Sequence, residues 1–449
     1  MIGLSRVRLD HADLQGGLLE PYRLPNGEYL FLRVDDPDRA RTWLRATVDQ
    51  VTTAVPLNGG RRDTTLNIAF SHPGLEALGV PRETLSAFVP EFREGMAARA
   101  ERLGDTGRSA PENWDEGLGT GDAHILAAIT ARTEEALLER LEPFRLGIEQ
   151  SGGLTIVHAQ RGGALPDRRH HFGFRDGLSD VAVEGSSRAA NAGDGVPMRP
   201  TGWRPVRAGE FILGYKDEDH QLPPAPPDPL GRNSTYVVYR KLYNDVALFR
   251  EYFRAKAEEL GIDEELLSAK IIGRWKDGTP LELSPDRPDP ELMDDPARAN
   301  DFRYRSDPGG MRCPVGAHIR RANPRDGMGH GGKLTMRHRI IRRGLPYGPP
   351  LPDGSEDDGV DRGLVFIGFN ASFERQFETI QALWVHDGNS FGLGYDKDFL
   401  LGDGEGSNKM TVNGRPPKFL HPQPTFVITR GGEYLFQPGI EGLRSLASA

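Results

Sequence analysis

Two distant stretches share one rhythm. EYLFLRVDDPDRARTWL, from Glu28, and TYVVYRKLYNDVALFREYF, from Thr235, each run from a β-rich segment through an acidic turn into a helical pattern. After the first, Ala40, Trp43, Leu44, Val48 and Val51 recur at the spacing of one helix face. The run continues with strands predicted at Leu66–Phe70, His124–Thr130 and Leu154–Gln160, and a helix at Glu134–Phe144. Strand–helix–strand twice over is the split βαβ, or ferredoxin-like, order. A looser second copy comes next. Its strands are predicted at Glu210–Tyr215, Thr235–Arg240, Ile340–Ile341 and Leu364–Phe369, and its helices at Asp245–Leu260 and Ser372–Leu383. A closing hairpin is predicted over Thr425–Phe436, turning at Gly431-Gly432. The expected fold is α+β: two ferredoxin-like halves, 1–205 and 206–449, with antiparallel sheets flanked by helices.

Composition narrows the function classes. The chain has 449 residues, with 56 basic and 65 acidic side chains, a formal net charge of −9. That balance argues against a nucleic-acid binder. A single cysteine, Cys313, excludes intrachain disulfides, Cys-Cys zinc sites and cysteine-held iron–sulfur clusters. No apolar run reaches the ~18 residues of a membrane span, and the opening MIGLSRVRLDHADLQGG lacks a signal-peptide core, so the expected address is the cytoplasm. Acidic, proline-rich stretches such as 278–300 and 345–361 read as long loops. They could serve an interface, and a homodimer is one open option.

Four segments carry candidate chemistry. Gly173-Phe174-Arg175-Asp176-Gly177 brackets one carboxylate with glycines, which suits either a self-capped turn or a backbone brought close to a ligand. Arg312–Arg325 sets His318 among arginines and small residues, which suits a flat metal-bearing ligand, although a lone histidine is more often an ordinary surface or core residue. Ile340-Ile341-Arg342-Arg343-Gly344 ends a strand in two arginines, which alternation sends to opposite faces. Gly388-Asn389-Ser390-Phe391-Gly392 matches the outline of a hydrolase nucleophile elbow, with Asp398 and His421 coming later in triad order. Leu393-Gly394-Tyr395-Asp396, directly after it, is a poor helix opener, so a glycine loop with a solvated serine competes with the elbow.

Taken together, the segments resemble the dye-decolourising peroxidase family of haem proteins, in its larger non-exported subclass. The family hallmark Gly-x-x-Asp-Gly matches 173–177. Its proximal-histidine segment matches Ala317-His318-Ile319-Arg320-Arg321-Ala322-Asn323-Pro324, and its distal arginine matches Arg342 before Gly344–Gly348. Weaker matches are Leu14–Gly17, Glu91–Met96, the Trp114 segment and Arg430–Tyr434. The resemblance implies two ferredoxin-like halves with haem b in the second. It implies a peroxidase that uses hydrogen peroxide to oxidise dyes, phenols or other small aromatic reductants through a ferryl haem. His318 would bind iron, with Glu378 as the expected partner of its other nitrogen, because Glu378 falls within the apolar face of Phe377, Ile380 and Leu383. Asp176 would shuttle the proton of peroxide and Arg342 would stabilise the departing oxygen. Arg320 or Arg321 would pair with a haem propionate, and Phe369 would line the distal wall. Tyr347 and Trp384 are candidate surface relays for bulky reductants. Two readings compete: a haem- or iron-handling protein on the same scaffold, and a serine hydrolase using Ser390.

Overall fold

Alternation along each strand decides which face meets which core. In β1 (Asn26–Val34), Leu30 and Leu32 join one apolar cluster while Tyr29 and Phe31 join another. The computed structural model describes residues 7–57, 60–198, 202–403 and 408–448. In the first half β1 leads into helix α1 (Pro37–Thr47), whose start is fixed by the Asp36 carboxylate accepting the Arg39 amide at 3.1 Å. Then come β2 (Thr64–Phe70), β3 (Ile125–Ala131), helix α2 (Glu134–Ser151) and β4 (Leu154–Gly163). The second half contains β5 (Thr235–Asn244), helix α3 (Val246–Leu260), the short helix α4 (His318–Ala322), β6 (Ile341–Arg342) and β7 (Leu345–Tyr347). It ends with β8 (Gly363–Asn370), the wide π-type helix α5 (Phe373–Val385) and β9 (Val427–Gln437).

The strands make one nine-stranded sheet in the order β4-β1-β3-β2-β9-β5-β8-β6, with β7 also on β8. Each half therefore repeats the same antiparallel order: last strand, first, next-to-last, second. The halves join where β2 meets β9, at Phe70 opposite Phe436. The far edges also approach one another, since a Cβ on Gly162 of β4 would lie 3.1 Å from Leu345 Cβ of β7. The sheet thus rolls toward a barrel. One face carries Tyr29, Phe31, Leu126, Val237, Tyr239, Ile367 and Phe369 from both halves; the other is covered by α1, α2 and neighbouring helical turns. Among the described residues no helix is long and apolar enough to cross a membrane.

Two expectations fail locally. Glu210–Tyr215 is not a strand. Ala208–Glu210 forms a 3-10 turn, and the apolar side chains behind it are all buried outside the sheet, Phe211, Ile212 and Tyr215 in one core cluster and Leu213 in the other. Its alternation is therefore never tested against solvent. Gly431-Gly432 is not a turn. β9 runs through both glycines with a bulge before Gly431. The missing side chains make room for Leu118 and Met96: a Cβ on Gly431 would sit 2.2 Å from Leu118 Cδ1 and 3.2 Å from Leu118 Cβ.

Gly431→Val should overpack this contact and cost about 1–3 kcal/mol. The check is a urea unfolding curve with a lower midpoint and an unchanged slope.

Candidate functional site

The Asp176 segment is a tight antiparallel turn. Arg169 bridges to Arg175, the His170 amide donates to Phe174 O at 3.0 Å, and the Asp176 amide donates to Arg168 O at 2.8 Å. Residues opposite one another across such a pair share a face. His170, Phe174 and Asp176 therefore stand together, and the His170 ring stacks on Phe174 at 5.9 Å. Gly173 and Gly177 hold φ of +88° and +72°, which only glycine adopts cheaply. A Cβ at either would meet nothing within 4 Å, so the constraint is backbone conformation rather than room. The self-capped turn is present, since the Asp176 carboxylate accepts the Gly177 amide at 2.7 Å, and Asp176 also lines a cavity of about 780 Å³.

Arg342 and Phe369 line the same cavity, brought there by the pairing of β6 with β8, Gly368 opposite Arg342 and Phe369 opposite Ile341. Ile341 is buried, and the Arg342 side chain makes no hydrogen bond or ion pair among the described residues. Its neighbour Arg343 is tied down by Asp180 at 2.9 Å and Gly17 O at 2.6 Å. Burial alone would raise the Asp176 carboxyl. Arg342, His170, the Gly177 amide and His318 outweigh it and hold the group below the usual carboxylate range. His170 is pushed down to about 4 by burial, so its imidazole is neutral near neutral pH. Nothing but a histidine pair before Gly173 pointed to it in the sequence.

His318 opens α4. Its Nδ1 lies 3.0 Å from Asp398 Oδ2, and Asp398 is fully buried. Asp398 Oδ1 also accepts the amides of Leu400 and Leu401, each at 2.9 Å. Desolvation opposes ionisation of Asp398, but His318, Arg321 and the Leu401 amide more than offset it, and its carboxyl is held low. An ionised carboxylate only accepts, so the imidazole proton sits on Nδ1 and the Nε2 lone pair is left for a metal. His318 is not part of the cavity lining, yet it stands within electrostatic reach of both Asp176 and His170.

Glu378 is not the partner of His318. Its carboxylate takes Arg99 through Nη2 at 2.7 Å, Arg102 Nε at 3.1 Å and the Tyr434 hydroxyl at 2.9 Å. The apolar residues that single it out do not share one environment: Phe377 joins the cluster beside the sheet, Ile380 packs with Trp384 and Val385, and Leu383 is exposed. Arg320 and Arg321 do not reach the cavity either. Arg320 donates to Cys313 O and Asp307 O, both at 2.7 Å, and lies over the Tyr304 ring. Arg321 is fully buried among backbone carbonyls. A different arginine is unpaired: Arg339, also outside the cavity lining, is 7% exposed and makes no side-chain hydrogen bond or ion pair among the described residues. It shares its surroundings with Arg325, Asp194, Asp180 and Arg342. Tyr347 and Trp384 are both buried, so neither is a surface aromatic. Ser390 is exposed on a 3-10 turn without the strand an elbow needs, His421 is exposed, and Asp398 is already committed to His318.

These residues fit a haem. A lone imidazole presents a free Nε2, an unpaired buried guanidinium offers a partner for a carboxylate, and a roomy cavity walled by Phe369 and Ile367 lies against Asp176 and Arg342.

Comparison with known proteins agrees with the geometry. Residues 13–151 match the family model described as the DyP dimeric alpha+beta barrel domain, and residues 227–393 match the C-terminal model of Dyp-type peroxidases. The multifunctional dye peroxidase DyP2 of an Amycolatopsis species is 31% identical over 99% of this chain and 97% of its own. The dye-decolorizing peroxidase msp1 of Mycetinis scorodonius is 28% identical over 99% of this chain and 89% of its own. A solved dye-decolorizing peroxidase in complex with 2,6-dimethoxyphenol superposes with a TM-score of 0.84 at 26% identity, covering 98% of this chain and all of that one.

Two substitutions separate the carboxylates. Glu378→Gln should cost on the order of 3 kcal/mol in a denaturation curve, because Arg99 loses a buried anion, and leave the visible spectrum of the haem-loaded protein unchanged. Asp398→Asn should change that spectrum; equal spectra for both variants would count against Asp398 as the imidazole's partner. With the barrel, the bracketed aspartate and both family models in agreement, the chain belongs to the dye-decolourising peroxidase family.

Proposed function

We propose that this chain is a haem peroxidase that uses hydrogen peroxide to oxidise dyes and phenolic or other small aromatic reductants, with haem b as its cofactor. The observation that carries the reading is a single one. Asp176 and Arg342 face one cavity without pairing to each other, and His318, held by Asp398, stands within electrostatic reach of Asp176. The cofactor belongs with the second half, and the chain divides near residue 205.

His318 would hold the iron through Nε2, and Arg339 would meet a haem carboxylate. When bound, the haem supplies the metal at which peroxide is activated. The rest falls to the chain. Asp176, kept ionised by Arg342, takes the proton from the inner oxygen of hydrogen peroxide and delivers it to the outer one, which leaves as water. Arg342 has no competing partner, so its donors are available to the negative charge that grows on the departing oxygen. Phe369 and Ile367 keep bulk water from the wall beside it. The open Asp176–Arg342 pair favours catalysis over simple haem carriage, which needs neither a free arginine nor an ionised carboxylate.

His318→Ala should lose most bound haem, read as the Soret absorbance per chain; full occupancy would remove His318 as the ligand. Arg339→Leu should weaken haem retention more mildly.

Arg342→Leu should keep haem and slow its reaction with peroxide by roughly 10²–10³-fold in stopped-flow absorbance. The pH profile gives a second sign. Asp176 acts as its ionised form, and its acidity is set largely by Arg342. In the native protein the reaction is therefore lost only as pH falls through a value below the usual aspartate range. Removing Arg342 raises that value, so the acid limb should move to higher pH. A limb that stays in place would separate Arg342 from the titration of Asp176.

A further inference from the structure

Arg321 has no part in peroxide cleavage or in meeting a haem carboxylate, and burying it is costly. It lies three residues after His318 on α4 and is completely inaccessible. Its Nε donates to Gly316 O at 3.2 Å, its Nη1 to Trp384 O at 2.8 Å and Asp387 O at 3.4 Å, and its Nη2 to Asp396 O at 2.6 Å. The Phe391 ring lies 5.5 Å away. Every acceptor is a neutral carbonyl, and no carboxylate is within ion-pair distance among the described residues. A buried cation without an anion is expensive, and a neutral side chain with amide donors would satisfy two of these carbonyls at lower cost. The charge must therefore be balanced at longer range. The carbonyl it grips most closely belongs to Asp396, two residues before Asp398, and Asp398 is the foremost of the anions acting on it.

We propose that Arg321 is a positioning residue that sets the electron donation of His318, its positive charge offsetting that of Asp398 and so raising the reduction potential of the bound iron. The inference rests on the reading of His318 as the iron ligand. An imidazole that donates to a buried carboxylate gains imidazolate character and favours the ferric state. A cation beside that carboxylate withdraws part of the effect. It also directly disfavours the extra positive charge of ferric over ferrous iron, because screening is weak in a buried site. Both effects have the same sign. A mere clamp for the 384–396 loop would need the donors and not the charge.

The test uses the haem-loaded protein and two substitutions that separate charge from donors. Arg321→Gln keeps amide donors and removes the charge, whereas Arg321→Lys keeps the charge and loses the planar fork. Spectroelectrochemical titration should show the Fe(III)/Fe(II) midpoint lowered in Arg321→Gln by at least a tenfold change in the redox balance, about 59 mV for one electron. The iron–histidine stretch of the ferrous form should rise with it, and Arg321→Lys should stay near the native midpoint. Equal shifts in both variants, or an unmoved midpoint in Arg321→Gln, would reduce Arg321 to a clamp. Failure of Arg321→Gln to fold while Arg321→Lys folds would assign the charge to stability and overturn the redox role. The control is His318→Ala. If that variant keeps its haem, the ligand reading fails. If it loses haem while Arg321→Gln leaves the potential unmoved, only the inference about Arg321 fails.

Discussion

The site hangs on one hydrogen bond, His318 Nδ1 to Asp398 Oδ2 at 3.0 Å. It fixes which imidazole nitrogen is free, and it is itself fixed from several directions. The Asp398 amide donates to Val385 O at the end of α5, and Gln423 Nε2 donates to the Asp398 carbonyl. The carboxylate is further saturated by two amides of its own loop. Such an aspartate cannot rotate away without losing several bonds in a buried site, each costly to leave unmade. The imidazole is therefore presented in one orientation before any cofactor arrives.

The opposite wall is built on the reverse logic. Asp176 and Arg342 are far apart in the chain and meet where the far edges of the sheet approach, with the 168–176 turn after β4 on one side and β6 on the other. Neither satisfies the other, and both face open space. An arginine close enough to help hold Asp176 ionised, yet not paired with it, leaves room between them for a small polar molecule. A structural ion pair would be closed and short, as Arg188 with Asp194 is at 2.6 Å nearby.

How much of this the sequence carries depends on the range of the interaction. The strand–helix rhythm of both halves is local, and so β1, β5, α1 and α3 lie where periodicity puts them. The turn at Asp176 is equally local, because glycine brackets mark positive φ. The partner of His318 is not local: 80 residues separate it from Asp398. Glu378 stands out instead on helix amphipathicity, which reports burial and not what a buried carboxylate meets. Gly431-Gly432 fails for a related reason. A pair of glycines signals a turn only if nothing packs against the strand, and Leu118 and Met96 do. The arginines around His318 offer no means, in sequence, to tell which face a cavity, since guanidinium groups serve carbonyls as readily as carboxylates.

That ambiguity among arginines is resolved by what each one touches. Arg320 and Arg321 place their donors on backbone carbonyls of 307–316 and 384–396, with the Asp307 carboxylate 3.5 Å from Arg320, and so brace the segment that carries His318. Arg339 and Arg342 place none of theirs within the described protein. Desolvating a guanidinium without giving its donors acceptors is among the costlier things a fold can do, and Arg339, 7% exposed, has Asp194 and Asp180 near it but no side-chain hydrogen bond or ion pair with either. The distribution of satisfied and unsatisfied arginines thus divides the molecule physically. On one side of His318 the charges hold the scaffold, and on the other they are left without protein partners among the described residues.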